Sequence, residues 1–249
     1  MATHRSSPAA AELVAQLERV HALHVARAGN PILAGALDRL ADWQSRRLAM
    51  TYADLARDPR YGAAIAFFQA ELYGGKDFSR RDAELGRIVP AMSRLLPERV
   101  ILTVARAMEL NALSHELDAK LLDHLPRADA QFKVDEYCRA FRRAGRQPDR
   151  RRQVALIGEV GAALDRYVRL PMIRRALVLM RRPARAAGLG DLQAFLEAGF
   201  DAFHRMGGAS TFLSTVAARE SAVLDAIFGG SNAPFPEPPP GRRIREGSA

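Results

Sequence analysis

The chain has 249 residues, 48% of them hydrophobic and 26% charged, with a formal net charge of +9. A chain of this length buries about 70% of its unfolded surface, so the fold needs no disulfide or metal to hold it, and the lone Cys138 excludes an internal disulfide. No apolar run approaches the roughly 18 residues of a transmembrane helix, and abundant Ala, Leu and Arg with few β-branched and aromatic residues favour helix over strand.

Ser7-Pro8 has the form of an N-cap followed by the first helical position, and opens a helix to about Ala28 with Leu13, Leu17, Val20 and His24 on its inner face. Before it, no apolar stretch of the signal-peptide kind is found, so a cytoplasmic chain is expected. Asn30-Pro31 repeats the start signal for a helix through Trp43, Leu48, Tyr52 and Leu55 to the Asp58-Pro59 break. A third helix is expected over about 60–73, ending at Gly74-Gly75. Ser79 and Asp82 have the spacing of a capping box for a fourth helix, which Pro90 should kink. Pro97 opens the longest helix, to about His124. Further helices are expected near 129–144, 149–168, 171–187, 191–206 and 210–228. The fold class expected is therefore all-α, a multi-helix bundle of nine to ten helices in a single domain, 1–230. The Pro-rich polar tail, 231–249, should be disordered.

Within the third helix and beyond it stand Phe67-Phe68-Gln69-Ala70-Glu71-Leu72-Tyr73, then Gly74, Asp77-Phe78, Arg81-Asp82 and Leu96-Pro97. This pattern resembles the bacterial FFLEELY-motif protein family, with Gln69-Ala70 in place of the motif's Leu-Glu. The resemblance implies a shared helical fold up to about Gly230 and supplies no activity and no catalytic residues. On their own chemistry, Phe67, Phe68 and Leu72 form one apolar face, and Glu71, Asp77, Arg81 and Asp82 gather around the glycine turn. They read either as an ion-pair and capping cluster or as a ligand-binding corner.

On the long helix, Asn111, His115 and Asp118 fall within about 60° of one another at 100° per residue, inside a stripe that is otherwise apolar. Burying them without partners would cost about 1–3 kcal/mol each. They form either a satisfied polar network or a candidate pocket in which His115 and Asp118 move a proton or hold a ligand. The second reading would make the chain a cofactor- or metal-dependent enzyme with its site on 97–124. Glu18, His21 and His24 make a single E-x-x-H pattern, where a di-iron bundle needs two, so no metal site is assigned. Cys138 has no neighbouring histidine in sequence and reads as an ordinary half-buried thiol.

The charge is uneven. Residues 126–185 carry 16 basic and 6 acidic side chains, which accounts for the whole excess. Arg174, Arg175, Arg181, Arg182 and Arg185 fall within an arc of about 120° on one helix, opposite Ile173, Ala176, Leu177, Met180 and Ala184. Arg142, Arg143, Arg146, Arg150, Arg151 and Arg152 lie upstream. This is either a solvated face or, across 139–185, the binding surface for an anionic partner such as nucleic acid. Tyr137, Phe141 and Tyr167 are its aromatic candidates for base stacking, no helix-turn-helix signature is present, and the small Ala-rich opposite face argues against deep membrane insertion. The leading functional expectation is a non-catalytic binding or interaction protein. No cofactor, partner identity or oligomeric state follows from the sequence.

Overall fold

The structure, a computed structural model, describes residues 7–71, 78–125 and 132–240, without the side chain of Glu71. The described residues form eleven helices and no strand. They are α1 (Pro8–Ala28), α2 (Pro31–Thr51), α3 (Ala53–Arg57), α4 (Gly62–Glu71), α5 (Ser79–Leu95), α6 (Glu98–Leu122), α7 (Val134–Ala144), α8 (Gln147–Val168), α9 (Pro171–Ala186), α10 (Gly190–Met206) and α11 (Ser210–Phe228).

The first two starts form as their residues dictate. Ser7 Oγ accepts from the Ala10 amide at 3.3 Å, and Asn30 Oδ1 from the Leu33 amide at 3.0 Å. Each satisfies an amide that has no partner within the helix, and a proline follows where no donor is needed. Two expectations change. The second helix does not run unbroken to Asp58: it stops at Thr51, Tyr52 leaves helical geometry, and α3 restarts at Ala53. The cause is tertiary, since the buried Tyr52 hydroxyl donates to Glu220 on α11 at 2.7 Å. The Ser79–Asp82 capping box does not form either. The N-cap of α5 is Phe78, with no side-chain cap, and Asp82 turns inward instead.

α6 is central, touching α1, α2, α5, α7 and α8. Its Ile101, Ala105 and Met108 pack with Leu13 of α1 and Leu85 and Val89 of α5. Further along, Leu121 joins Leu40, Trp43, Phe132, Tyr137 and Phe141. A third cluster packs Tyr61 and Ile65 against Phe200, Phe203 and Phe212. Buried charge locks helix ends across the fold. Glu84 of α5, 2% exposed, accepts from the Leu192 amide in the first turn of α10 at 2.8 Å. There an anion meets the positive end of a helix dipole.

Residues 231–240 contain no helix or strand, yet they are pinned to the bundle. Phe235 packs against Trp43 and lies under the Arg47 guanidinium, and Glu237 accepts from the Val134 amide at 2.9 Å. Residues 241–249 lie outside the described residues.

Candidate functional site

The polar stripe of α6 divides between two networks. Asn111 donates to Asp82 Oδ2 at 3.0 Å, and His24 of α1 reaches the same oxygen at 3.1 Å. Arg81 places two guanidinium nitrogens 3.1 Å from the other oxygen. Burial alone would raise the Asp82 carboxyl, but its hydrogen bond from His24 and the charge of Arg81 outweigh that and hold it below the usual carboxylate range. An ionised carboxylate only accepts, so His24 Nε2 is the donor. The Arg81 guanidinium is clamped between the Phe78 and Phe195 rings, 4.4 Å from each centroid, and its remaining amino group, Nη1, has no hydrogen-bond partner among the described residues. His115 stands edge-on to His24 beside this cluster.

Asp118 belongs elsewhere. It accepts from Gln44 of α2 at 2.9 Å, in the neighbourhood of Arg150 and Tyr137, and burial raises its carboxyl above the ordinary value. Among the described residues no hydrogen bond or ion pair joins His115 to Asp118, the pair considered from sequence. Asn111 and His115 share one environment, and Asp118 faces another. The Asp82 cluster joins α1, α5 and α6 through a single carboxylate with four donor contacts, which is the geometry of a helix-locking network. Glu18 and His21, of the E-x-x-H pattern, are exposed, and among the described residues no group of three His, Cys, Asp or Glu side chains could hold a metal ion.

Around the aromatic motif, Phe67 packs on Phe195, and Phe68 stacks on Phe212 with its ring 5.8 Å away. Both are partly buried against the core. Asp82 pairs with Arg81, as the ion-pair reading anticipates. Leu72, Tyr73, Asp77 and the Glu71 side chain lie outside the described residues.

The basic segment divides as well. Its upstream arginines are mostly engaged within the protein. Arg142 donates to the Ile227 and Ser231 carbonyls, Arg146 pairs with Glu116 and Asp149, Arg151 with Asp225, and Arg152 with Glu109 and Glu159. Arg150 is buried, stacked on Phe141 and donating to the Leu117 carbonyl. Of the face on α9, Arg181 pairs with Glu197. Arg174, Arg175, Arg182 and Arg185 are exposed and form no ion pair or hydrogen bond among the described residues. Arg174 borders two adjoining clefts. The larger, about 280 Å³, is lined by the apolar Val168, Pro171 and Phe200 together with Arg169, Arg174, Arg175 and His204. The smaller, about 80 Å³, is lined by Leu177, Val178 and Phe200 with Arg181 and Glu197. The stacking aromatics expected for nucleic acid are not available: Tyr137 and Phe141 are core, and Tyr167 is bonded to Thr103.

Residues 23–234 match a domain of unknown function, DUF8198. The chain belongs to this family. No curated protein matches it, and no solved structure does. The DUF8198 domain takes in His24, the aromatic motif, all of α6 and all of α9.

Three participants in this DUF8198 domain have roles that sequence reasoning did not supply, although it set His24 on the inner face of α1. His24 and Gln44 come from helices far off in sequence, and nothing local marks them as partners of α6. The third is an apolar stripe on α9 that the core leaves uncovered: Met172 is 70% and Leu179 77% exposed. Its signal was present in the helical period, since residues 172, 176, 179 and 183 share an arc of about 60°. The period alone does not say which arc is covered. Cys138 is inert, fully buried with its thiol pushed up to about 11 by that burial.

Proposed function

We propose that this DUF8198 domain is a non-catalytic binding protein that engages an anionic partner through the exposed face of α9. The observation that carries the reading is the contrast in arginine use. Most arginines of the basic segment are consumed by internal partners, while Arg174, Arg175, Arg182 and Arg185 form no ion pair or hydrogen bond among the described residues. Like charges three or four positions apart on a helix, as Arg182 and Arg185 are, cost a few tenths of a kcal/mol. An anionic partner relieves that cost and gains ion pairs. From Arg166 to Gly190 the chain holds no acidic residue, so the helix itself offers the arginines nothing. The likeness of residues 67–73 to the FFLEELY motif adds a common scaffold and no activity. The Asp82 cluster serves in this reading as structural glue rather than as a catalytic centre.

The test is retention of purified protein on a heparin column at low salt. Retention should fall steeply as salt rises, because bound counterions are released on association. Reversing Arg174, Arg175, Arg182 and Arg185 to Glu should abolish it with the helical circular-dichroism signal unchanged. Protein that passes through heparin unretained at low salt overturns the reading.

A further inference from the structure

We infer that the anionic partner is a phospholipid bilayer, on whose surface α9 lies with Met172, Ala176, Leu179 and Pro183 turned into the lipid. This rests on the anionic-partner reading above and adds its chemistry. The helix presents three faces. One, carrying Ile173, Leu177 and Ala184, is set into the protein against α8 and α10. A second carries the arginines. The third, between Arg175 and Arg182 on one side and Met180 on the other, is apolar and uncovered.

Exposed large apolar side chains are scattered singly on most soluble proteins. Here five of the eleven among the described residues fall between Leu170 and Met180: Leu170, Met172, Val178, Leu179 and Met180. An apolar stripe bordered by arginines, on a helix too short and too charged to cross a membrane, has the make-up of a helix that lies in the headgroup region. The shallow stripe answers the objection that the Ala-rich face is too small to insert. Of that face Ile173, Leu177 and Ala184 pack on the protein, while Ala176 stays exposed and joins Met172 and Leu179 in the free stripe.

The alternatives fit less well. A polyanion such as nucleic acid satisfies the arginines but leaves Met172 and Leu179 in water, and the segment offers no free aromatic for stacking. A second copy docked through the same face brings Arg175 and Arg182 against their own kind. An anionic bilayer meets both needs at once. Juxtamembrane basic residues contribute about 1 kcal/mol each, close to five-fold in affinity per residue. The stripe adds the transfer of Met and Leu side chains out of water.

The experiment is sedimentation of the full chain with vesicles of phosphatidylcholine alone, and of equal parts phosphatidylcholine and phosphatidylserine. The protein should sediment with the second and not the first. Met172→Ser with Leu179→Ser should weaken vesicle binding about ten-fold or more while heparin retention is unchanged. Reversal of Arg175 and Arg182 should weaken both. Because Cys138 is buried, a dye attached at Leu179→Cys reports that position alone, and its emission should shift to the blue on anionic vesicles. Heparin or duplex-DNA binding without vesicle binding overturns the bilayer and leaves the anionic-partner reading standing. Absence of both overturns both. Equal binding to the two vesicle types, undiminished binding by the serine variant, or a dimer in solution that the serine variant dissociates also overturns the bilayer.

Discussion

The ring of His115 stands edge-on to the ring of His24, with 5.7 Å between centroids. Burial lowers the His115 imidazole to about 4, and the nearby charges of His24 and Arg27 push the same way against the opposing pull of Asp82. It is therefore neutral in the folded protein at neutral pH.

A pH dependence follows. The unfolded chain takes up a proton at His115 near pH 6.5 and the folded chain only near 4, so between these values the unfolded state binds more protons. Stability is fully present above about pH 6.5 and is lost as pH falls toward 4. At 1.36 kcal/mol per unit the total is about 3 kcal/mol, of which about 2 kcal/mol is gone by pH 5. Asp82, held below its usual range, adds a further loss only at more acid pH. Urea unfolding at pH 7 and pH 5 should show this slope, and His115→Gln should flatten it. An unchanged slope in the variant would place the titrating group elsewhere.

A second prediction concerns the buried pair of Arg47 and Glu220, joined by two hydrogen bonds of 2.8 and 2.9 Å and by the Tyr52 hydroxyl. Glu220→Ala alone leaves a guanidinium stranded among apolar groups and should cost about 3–5 kcal/mol. Replacing both charges with apolar residues, Arg47→Met with Glu220→Leu, in a Tyr52→Phe background, should cost far less, about 1 kcal/mol or nothing. Denaturant titration of the single and combined variants gives the comparison. Equal losses in the two would mean that the pair contributes net stability of its own.

These contacts show what a sequence can and cannot disclose. The starts at Ser7-Pro8 and Asn30-Pro31 were legible because a cap and a proline act on their own turn. The break at Tyr52 was not, since it is fixed by Glu220, 168 residues away. Helical period placed Asn111, His115 and Asp118 on one side of α6. It could not reveal that α5 approaches the first two with Asp82 and α2 approaches the third with Gln44. On α9 the period resolved the arginine arc, and the fold alone shows which arginines have partners.

The aromatic motif yields a third prediction. Phe68 stacks on Phe212 and meets Phe203 edge-on, 6.0 Å away, so it ties α4 to α10 and α11. Phe68→Ala should destabilise by about 3 kcal/mol, the low end for a phenylalanine because part of the ring is exposed. Thermal unfolding measures it. A change under about 1 kcal/mol would mean that the ring contributes little to the core.

Two glycines three residues apart on α8 should respond in opposite directions to the same substitution. At Gly158 an added methyl meets nothing within 4 Å, and at Gly161 it would lie 2.4 Å from Leu213 Cδ2 and 3.3 Å from its Cγ. Both sit inside a helix, where alanine is favoured over glycine by about 1 kcal/mol through the smaller loss of backbone entropy. Gly158→Ala receives that gain undiminished and should raise stability by about 0.5–1 kcal/mol. Gly161→Ala must displace a Leu213 that is itself packed among Phe212, Val168 and Phe200, which is overpacking at about 1–3 kcal/mol. Its net effect should be a loss of about 1 kcal/mol. Leu213→Ala in the Gly161→Ala background removes the clash, so the two changes should combine to less than the sum of their separate losses. If Gly161→Ala is as stabilising as Gly158→Ala, α8 and α11 are not as closely apposed at Leu213 as the structure has them.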